Sequence, residues 1–364
     1  MEINKLLSFS LCLVLILGVA HSFDYNEKEL ETEEGLQGMY DRWRDHHKVA
    51  EKSPERFNVF KSNLQLVHNH NRMNKPYKLE LNKYASMTKH EFVSTYGDSK
   101  IGHYAALQGI RKPNFTMPCP TPQPTPPPPP PDKCDLPKRI DWREHNAVTS
   151  VKNQGPCGSC FAFAAIGAIE GINAIRTGQL VDLSAQQILD CDTTERTKHC
   201  SGGLVCGVFK FVIEHGGIAT EASYPYKAMK ETCDTSKFGH HAVTLDGHEY
   251  LPVNDEYAIM KALTQQPVVF AMDPYGEGFF LYKEGIYTGP CGMGLDHAML
   301  LVGYDEDPDG TKYWILKNSW GEGWGEKGYG RILRKANPDG TGLCNMYAQT
   351  DIPHKSPDTR NVEL

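Results

Sequence analysis

Apolar positions follow a helical period in the first part of the chain and a strand-like pattern in the later part. Helical spacing begins after Ser53-Pro54, where proline suits the first position of a helix, and it continues to residue 67. Further helices are predicted to start at Cys160, to run from a Ser184 cap to Leu189, and to run from about Cys206 to His215. Strands are predicted after residue 265, at Val268–Met272, Met299–Tyr304, Tyr313–Lys317 and Tyr329–Leu333. Helices first and strands later predict an α+β fold with two packed lobes.

One predicted helix is apolar on every face, as expected of a helix inside a core. It follows Gln154-Gly155-Pro156-Cys157-Gly158-Ser159-Cys160 and continues as Phe161-Ala162-Phe163-Ala164-Ala165-Ile166. Cys160 therefore lies at the first turn of a buried helix. Unpaired backbone N–H groups and the positive end of the helix dipole favour a thiolate there. Because a thiolate is a nucleophile, Cys160 is a candidate catalytic residue.

Two downstream segments carry the groups that such a nucleophile needs. Leu295-Asp296-His297-Ala298 supplies a histidine that can take the thiol proton, and Lys317-Asn318-Ser319-Trp320-Gly321 supplies an asparagine that can orient the imidazole. The tryptophan would shield the His–Asn hydrogen bond from water.

These three segments, in this order, resemble the papain-like cysteine peptidases, and in particular the plant endopeptidases that end in a KDEL-type tail. Phe161 stands where that family has Trp or Tyr. The resemblance implies a papain-like fold with a helical lobe, a β-barrel-like lobe, and a substrate cleft between them. It implies catalysis by Cys160, His297 and Asn318, with the Gln154 amide and the Cys160 N–H binding the oxyanion.

The resemblance also implies where the substrate binds. Gly202 and Gly203 would be the backbone edge that pairs with an extended substrate. An apolar pocket would hold the residue two before the cleaved bond, and Gln349 falls at its floor. We expect this pocket to tolerate a polar side chain better than relatives do. The other residues implied to line it are Leu204, Val205, Ala271, Leu295 and Ala298.

The stretch before the catalytic region is charged and helical, and it is similar to the inhibitory propeptides of this family. The residues matching the propeptide helix pattern are Arg56, Phe60, Asn63, Val67 and Asn71. Lys52 replaces the opening Glu of that pattern, with Glu51 one place away. A second propeptide motif, Gly-x-Asn-x-Phe-x-Asp, is reduced to Asn82 and Tyr84, between Glu80 and Ser86. The usual acid trigger of self-activation is therefore in doubt.

The first 22 residues read as a secretory signal peptide, with Lys5 ahead of an uncharged apolar run from Leu6 to Ala20. A membrane anchor is the alternative, but this run is short for crossing a bilayer. The net charge of −7, without a basic cluster, argues against nucleic acid as a partner. Passage through the oxidising secretory route would allow disulfides to form.

The predicted organisation is a signal peptide (1–22), an inhibitory propeptide (23–134), a peptidase domain (135–350) and a C-terminal tail (351–364). The propeptide ends in a proline-rich linker (118–131), and Asn114 just before it is the expected glycosylation site. The final Asn-Val-Glu-Leu keeps two residues of the KDEL address, so retention in the endoplasmic reticulum and export to the vacuole or outside both stay open.

Eleven cysteines are present. The resemblance implies the disulfides Cys157–Cys200, Cys191–Cys233 and Cys291–Cys344, and leaves Cys160 and Cys206 unpaired. A bridge between Cys119 and Cys134 is not expected, because the stiff proline run holds its own ends far apart. Zinc binding or redox chemistry at Cys157-x-x-Cys160 would need a second ligand pair or a βαβ context, and neither is evident.

The sequence therefore predicts a cysteine endopeptidase made as an inactive precursor, without a cofactor or metal. The expected partners are protein and peptide substrates, the chain's own propeptide and cystatin-type inhibitors, with neither nucleic acid nor membrane, and the expected state is a monomer. The alternative is a catalytically weak homologue that serves as a storage or binding protein. Peptide ligation by the same acyl-enzyme also stays open.

Overall fold

The computed structural model describes residues 23–97, 136–239, 241–292, 294–334 and 340–357. Within them we number seven α-helices and nine β-strands in chain order. The helices are α1 Glu33–His47, α2 Pro54–Arg72, α3 Lys89–Phe92, α4 Cys160–Thr177, α5 Ala185–Cys191, α6 Val205–Glu214 and α7 Glu256–Leu263. The strands are β1 Tyr77–Leu79, β2 Ile140–Asp141, β3 Gly247–Tyr250, β4 Val268–Met272, β5 Tyr282–Tyr287, β6 His297–Glu306, β7 Lys312–Lys317, β8 Tyr329–Leu333 and β9 Thr350–His354.

The predicted helices form, and their first residues show why. Ser53 caps α2 with Pro54 in its first turn, Thr88 and Glu91 make the reciprocal capping box of α3, and the Ser184 hydroxyl accepts the Gln187 N–H at the start of α5. α4 is buried along nearly its whole length. Among the described residues, α4 is the one helix whose length and composition would suffice to cross a membrane, and most of it is inside the protein.

Eight strands form one continuous sheet in the order β1-β5-β8-β7-β6-β4-β9-β3, and β2 pairs with β6 beside it. All four predicted strands are present. The pattern did not predict β3, β5 or β9, or helix α7. α4 crosses the face of the sheet that carries Val269 and Ala271, so the sheet and the helical lobe share one apolar core.

The N-terminal segment, residues 23–97, is docked onto the rest of the chain as a helical unit that adds one strand to the sheet. β1 pairs antiparallel with β5, with Tyr77 opposite Gly285. Asn63 in α2 donates to the carbonyls of Ala85 and Met87, each at 2.9 Å. Its amide therefore fixes the path of the chain between α2 and α3.

Two further residues of the helix pattern have visible work in this segment. Asn71 bonds both the N–H and the carbonyl of Leu79, so it holds β1 in place. Arg56 bonds Glu91 at 2.9 Å and Glu51 at 2.8 Å. The acidic partner that the pattern places at residue 52 is thus supplied by Glu51, while Lys52 pairs with Asp41.

The structure contains the disulfides Cys157–Cys200, Cys191–Cys233 and Cys291–Cys344, the pairs that the resemblance implies. The expectation that Cys206 is an unpaired thiol is wrong, because this cysteine is also disulfide-bonded. Pairing agrees with an oxidising route, on which cysteines form disulfides. Cys206 is therefore not a second free thiol near the substrate-binding residues.

The sequence places the start of the C-terminal tail at residue 351, and the folded chain continues past that position. Thr350–His354 is strand β9, which pairs with both β4 and β3. Asp351 and Pro353 disguise it, since both residue types are rare in strands. The signal peptide, Asn114, the proline-rich linker, Cys119, Cys134 and the terminal Asn-Val-Glu-Leu lie outside the described residues.

Candidate active site

Cys160 is the first residue of α4 and is fully buried. Ser159 precedes it without capping the helix through its side chain, so the first N–H groups of α4 keep their polarity for the site. The disulfide Cys157–Cys200 ties this helix start to the loop that carries Gly202. The Cys160 sulfur accepts a hydrogen bond from the N–H of Ala298 at 3.4 Å, which places it against the start of β6.

His297 opens β6 and lies between Cys160 and Asn318. Its Nε2 bonds the Asn318 Oδ1 at 2.9 Å, and the same oxygen accepts the N–H of Ser319 at 2.8 Å. Nδ1 makes no hydrogen bond within the part of the chain that the structure describes, and it is the nitrogen available to the thiol. Burial lowers the pKa of His297 to about 4, and the bond to Asn318 opposes that effect. Burial in this closed form therefore favours the neutral imidazole.

Trp320 covers the histidine. Its ring stacks on the imidazole with 4.5 Å between centroids, and both side chains are inaccessible to solvent. An indole over the His297–Asn318 bond excludes water that would compete for it. Among the described residues the arrangement leaves Nδ1 as the ring nitrogen that can exchange a proton.

The Gln154 side chain is held so that its amide N–H groups face the site. The Ser319 hydroxyl donates to Gln154 Oε1 at 2.7 Å, which fixes which end of the amide is the donor. Gln154 Nε2 then donates to the Cys157 carbonyl at 2.8 Å and to the Tyr96 carbonyl at 3.1 Å. Sequence reasoning missed Ser319 in this role, although it lies inside the segment already singled out.

Tyr96 belongs to the N-terminal segment, and its carbonyl also accepts the Trp320 Nε1–H at 3.3 Å. This segment therefore places a peptide carbonyl on the donors beside Cys160. Around it, Phe92 packs edge-on against Trp320 with 4.7 Å between centroids, and the Tyr84 hydroxyl donates to the Trp320 carbonyl at 2.9 Å. Substrate cannot reach the cysteine while these contacts hold.

The residues implied to bind substrate surround the same place. Ala271 lies opposite Ala298 on adjacent strands, and both share an apolar cluster with Val205 and Leu295. Leu204 packs instead with Cys206 and Tyr250. Gly202 and Gln349, which are also implied to bind substrate, are described here by their backbone. Gly202 adopts φ of 100°, which an L side chain rarely tolerates, and the Gln349 carbonyl accepts the N–H of Ala271.

Gly203 lies against Phe161. A Cβ at Gly203 would come within 2.6 Å of the Phe161 ring, so the glycine is needed for the contact. The aromatic ring that replaces the family's Trp is fully buried beneath this backbone edge.

A second buried polar group lies at the junction of the lobes and was not anticipated. Glu170 on α4 accepts the Thr149 hydroxyl at 2.6 Å and the Leu183 N–H at 3.0 Å. Lys317, next to Asn318, donates to the same Thr149 hydroxyl at 2.9 Å. Burial raises the pKa of Glu170 and lowers that of Lys317. The hydroxyl links two opposite charges that the fold brings out of water.

Across the described ranges there is no group of three or more His, Cys, Asp or Glu side chains placed to hold a metal ion. What the geometry offers is a thiol at a helix start, a neutral imidazole held by an amide, and preorganised N–H donors. Those parts suffice for acyl transfer to a thiol.

Comparison with known proteins gives the same picture. The family model for papain family cysteine proteases matches residues 136–354, and the model for the cathepsin propeptide inhibitor domain (I29) matches residues 40–92. The chain belongs to the papain family of cysteine proteases. Its N-terminal segment contains the propeptide inhibitor domain, and residues 136–354 form the peptidase domain.

Two papain-family relatives match along nearly the whole chain. The cysteine protease Amb a 11.0101 of Ambrosia artemisiifolia is 50% identical over 97% of this chain and 89% of its own length. The KDEL-tailed cysteine endopeptidase CEP2 of Arabidopsis thaliana is 44% identical over 97% and 95%. The crystal structure of the Amb a 11 proform, described as a major ragweed pollen allergen, superposes with a TM-score of 0.83 at 47% identity, over 93% of this chain and 100% of that one.

The predicted family, fold class and enzyme activity are therefore confirmed. The protein is a papain-family cysteine endopeptidase with an inhibitory propeptide, and the alternative of a storage or binding homologue is not supported.

Proposed function

We propose that Cys160, His297, Asn318 and Gln154 carry out peptide-bond hydrolysis in this enzyme. His297 takes the thiol proton, and the Cys160 thiolate attacks the peptide carbonyl. The imidazolium then protonates the departing amine, and His297 afterwards activates the water that releases the acyl group. The His297–Asn318 bond of 2.9 Å beneath Trp320 is the observation that carries this assignment.

Gln154 has the role of the oxyanion donor in this proposal, together with the Cys160 N–H. Its support is the contact of Gln154 Nε2 with the Tyr96 carbonyl, which is a peptide carbonyl beside the nucleophile. Losing one such donor lowers turnover by about 100- to 1000-fold in enzymes of this type. The amide needs little reorganisation, because Ser319 fixes it independently of the propeptide.

The substrate runs along Gly202 and Gly203 in this proposal, and it places one side chain in the pocket of Leu204, Val205, Ala271, Leu295 and Ala298, with Gln349 at the floor. The shared cluster of four of these residues supports the pocket, and the conformation of Gly202 supports the backbone edge.

For partners and location we propose the following. The enzyme acts as a monomer on protein substrates, without a membrane or nucleic acid, and cystatin-type inhibitors block the same cleft. It travels the secretory pathway to a vacuole, an endoplasmic-reticulum-derived compartment or the outside. The similarity to a KDEL-tailed endopeptidase supports the secretory route.

The test is covalent labelling. The purified precursor is acidified with a mild reductant, an epoxysuccinyl inhibitor of thiol proteases is added, and the label is located by mass spectrometry of peptides. We expect label on Cys160, together with propeptide release and loss of peptide cleavage, and none of these with Cys160→Ala. A matured wild-type chain that stays unlabelled at Cys160 would refute the proposal.

A further inference from the structure

A buried carboxyl lies beneath the implied substrate pocket, and the catalytic mechanism does not use it. Asp351 on β9 is 1% exposed, and its Oδ1 has no hydrogen-bond partner among the described residues. Burial raises its pKa well above the ordinary aspartate range, and a hydrogen bond from the Gln349 side chain opposes this effect. A buried carboxyl with an unpaired oxygen lowers the stability of the fold unless another group pairs with that oxygen.

The strand register shows which way Asp351 faces. It lies opposite Val269 on β4, while the Gln349 carbonyl bonds the N–H of Ala271 two residues further along β4. Because side chains alternate along strands, Gln349 and Asp351 share the face of Val269 and Ala271, which is the face that packs against the helical lobe. Asp351 is therefore one step deeper in the sheet than Gln349, below the same pocket.

A second contact path leads from the pocket wall to the carboxyl. Tyr250 on β3 pairs directly with Asp351 and packs against Leu204. Its hydroxyl is also without a partner among the described residues, and the nearby Asp351 charge adds to burial in raising its pKa. Two oxygens without donors thus lie behind Leu204 and Gln349, and Gln349 is only half-buried.

We propose that Asp351 is a specificity-determining residue, which recognises a lysine or arginine side chain two residues before the cleaved bond. This inference rests on the proposed function, since it deepens the pocket named there. A long side chain with a terminal cation would displace the Gln349 amide, pair with the carboxylate and satisfy the Tyr250 oxygen as well. An ion pair in so buried a place also favours the ionised carboxyl.

The test compares peptides that differ at this one position. The activated enzyme is assayed on fluorogenic peptides with lysine, norleucine or leucine there, the other positions being fixed. Norleucine keeps the four-carbon chain of lysine without the ammonium group. We expect a higher kcat/KM for lysine than for norleucine in the wild type, and a fall in that ratio of about tenfold or more in Asp351→Asn. Glu249→Gln, which removes an exposed carboxyl from β3, should leave the ratio unchanged.

Each result decides the question. A wild type that prefers norleucine to lysine would overturn the inference without any variant, so a misfolded Asp351→Asn would not protect it. A lysine preference that survives Asp351→Asn would also overturn it, because another group would then hold the cation. Cleavage of the leucine peptide but not of the lysine peptide would support the proposed function and overturn this inference. Loss of cleavage on all three peptides would overturn the proposed function and this inference together.

Discussion

Replacing Tyr84 by phenylalanine should loosen the propeptide, even though phenylalanine is the residue that the propeptide motif normally carries there. The Tyr84 hydroxyl donates to the Trp320 carbonyl at 2.9 Å, and the tyrosine is 2% exposed. The phenylalanine ring would keep the contacts with Phe92 and Tyr96, at 4.8 and 5.1 Å between centroids. Tyr84→Phe therefore removes one hydrogen bond and little else.

The size of the effect follows from what happens to the Trp320 carbonyl. In the open enzyme water solvates it, whereas in the closed precursor of the variant it is buried without a donor. A buried polar group without a partner costs about 1–3 kcal/mol, which is roughly a 5- to 150-fold shift toward the open form. The variant precursor should thus expose Cys160 more often by that factor.

The assay is the rate at which an epoxysuccinyl probe labels Cys160 in the intact precursor at neutral pH. With closing faster than labelling, this rate is proportional to the open fraction. Tyr40→Phe is the matched control, because Tyr40 is fully buried in α1 and its hydroxyl has no partner among the described residues. If Tyr84→Phe labels within twofold of wild type, the bond to Trp320 does not hold the propeptide closed and the reasoning is refuted.

Three further perturbations test other parts of the structure. Gly203→Ala should force the Phe161 ring aside at a cost of about 1–3 kcal/mol, and so lower both the melting temperature and kcat/KM. Adding Phe161→Leu to this variant should restore part of the melting temperature. If both single variants melt at the wild-type temperature, the expectation is contradicted. Burial lowers the pKa of His47 to about 4, so the docked propeptide favours the neutral imidazole and becomes less stable as pH falls from about 6.5 to 4. His47→Gln should therefore move the midpoint of precursor conversion to lower pH. An unmoved midpoint would exclude His47 as a trigger. Lys317→Met leaves Glu170 buried without a compensating charge, and should lower the free energy of unfolding in urea by about 3–5 kcal/mol. Adding Glu170→Gln should recover most of that loss. Additive losses would show that the two charges are not coupled.

The acid trigger illustrates how far the sequence alone reaches. Ser86 in place of the motif's aspartate put the usual trigger in doubt, and the pattern offered no substitute. In the folded chain, His47 is partly buried against the Leu81 carbonyl at 2.9 Å. Glu80 is partly buried at the interface with the peptidase, and burial raises its pKa to about 7. Glu80 has the opposite sign, since its protonated form favours the bound propeptide. A balance of this kind depends on burial, which spacing does not reveal.

The site divides in a similar way. The sequence predicts Cys160, His297 and Asn318 as the catalytic residues because each lies within a short motif of neighbouring residues. The sequence does not predict Asp351 as a pocket residue. Its position beneath the pocket depends on pairing with Val269 of β4 and Tyr250 of β3, and both strands are distant from it in the chain. The sequence analysis placed this residue in the C-terminal tail, whereas it lies in strand β9.

Inhibition and the proposed catalysis use the same donors, and this explains how the precursor can be both closed and ready. Gln154 is oriented by Ser319, and His297 by Asn318, all within the peptidase. The propeptide orients none of these four side chains and only covers them, by placing the Tyr96 carbonyl on the Gln154 amide. Release of the propeptide therefore leaves the donors in place. Activation therefore needs no rearrangement of these four side chains, only the loss of the propeptide's contacts, which include those of Tyr84, Phe92 and Tyr96 with Trp320 and the pairing of β1 with β5.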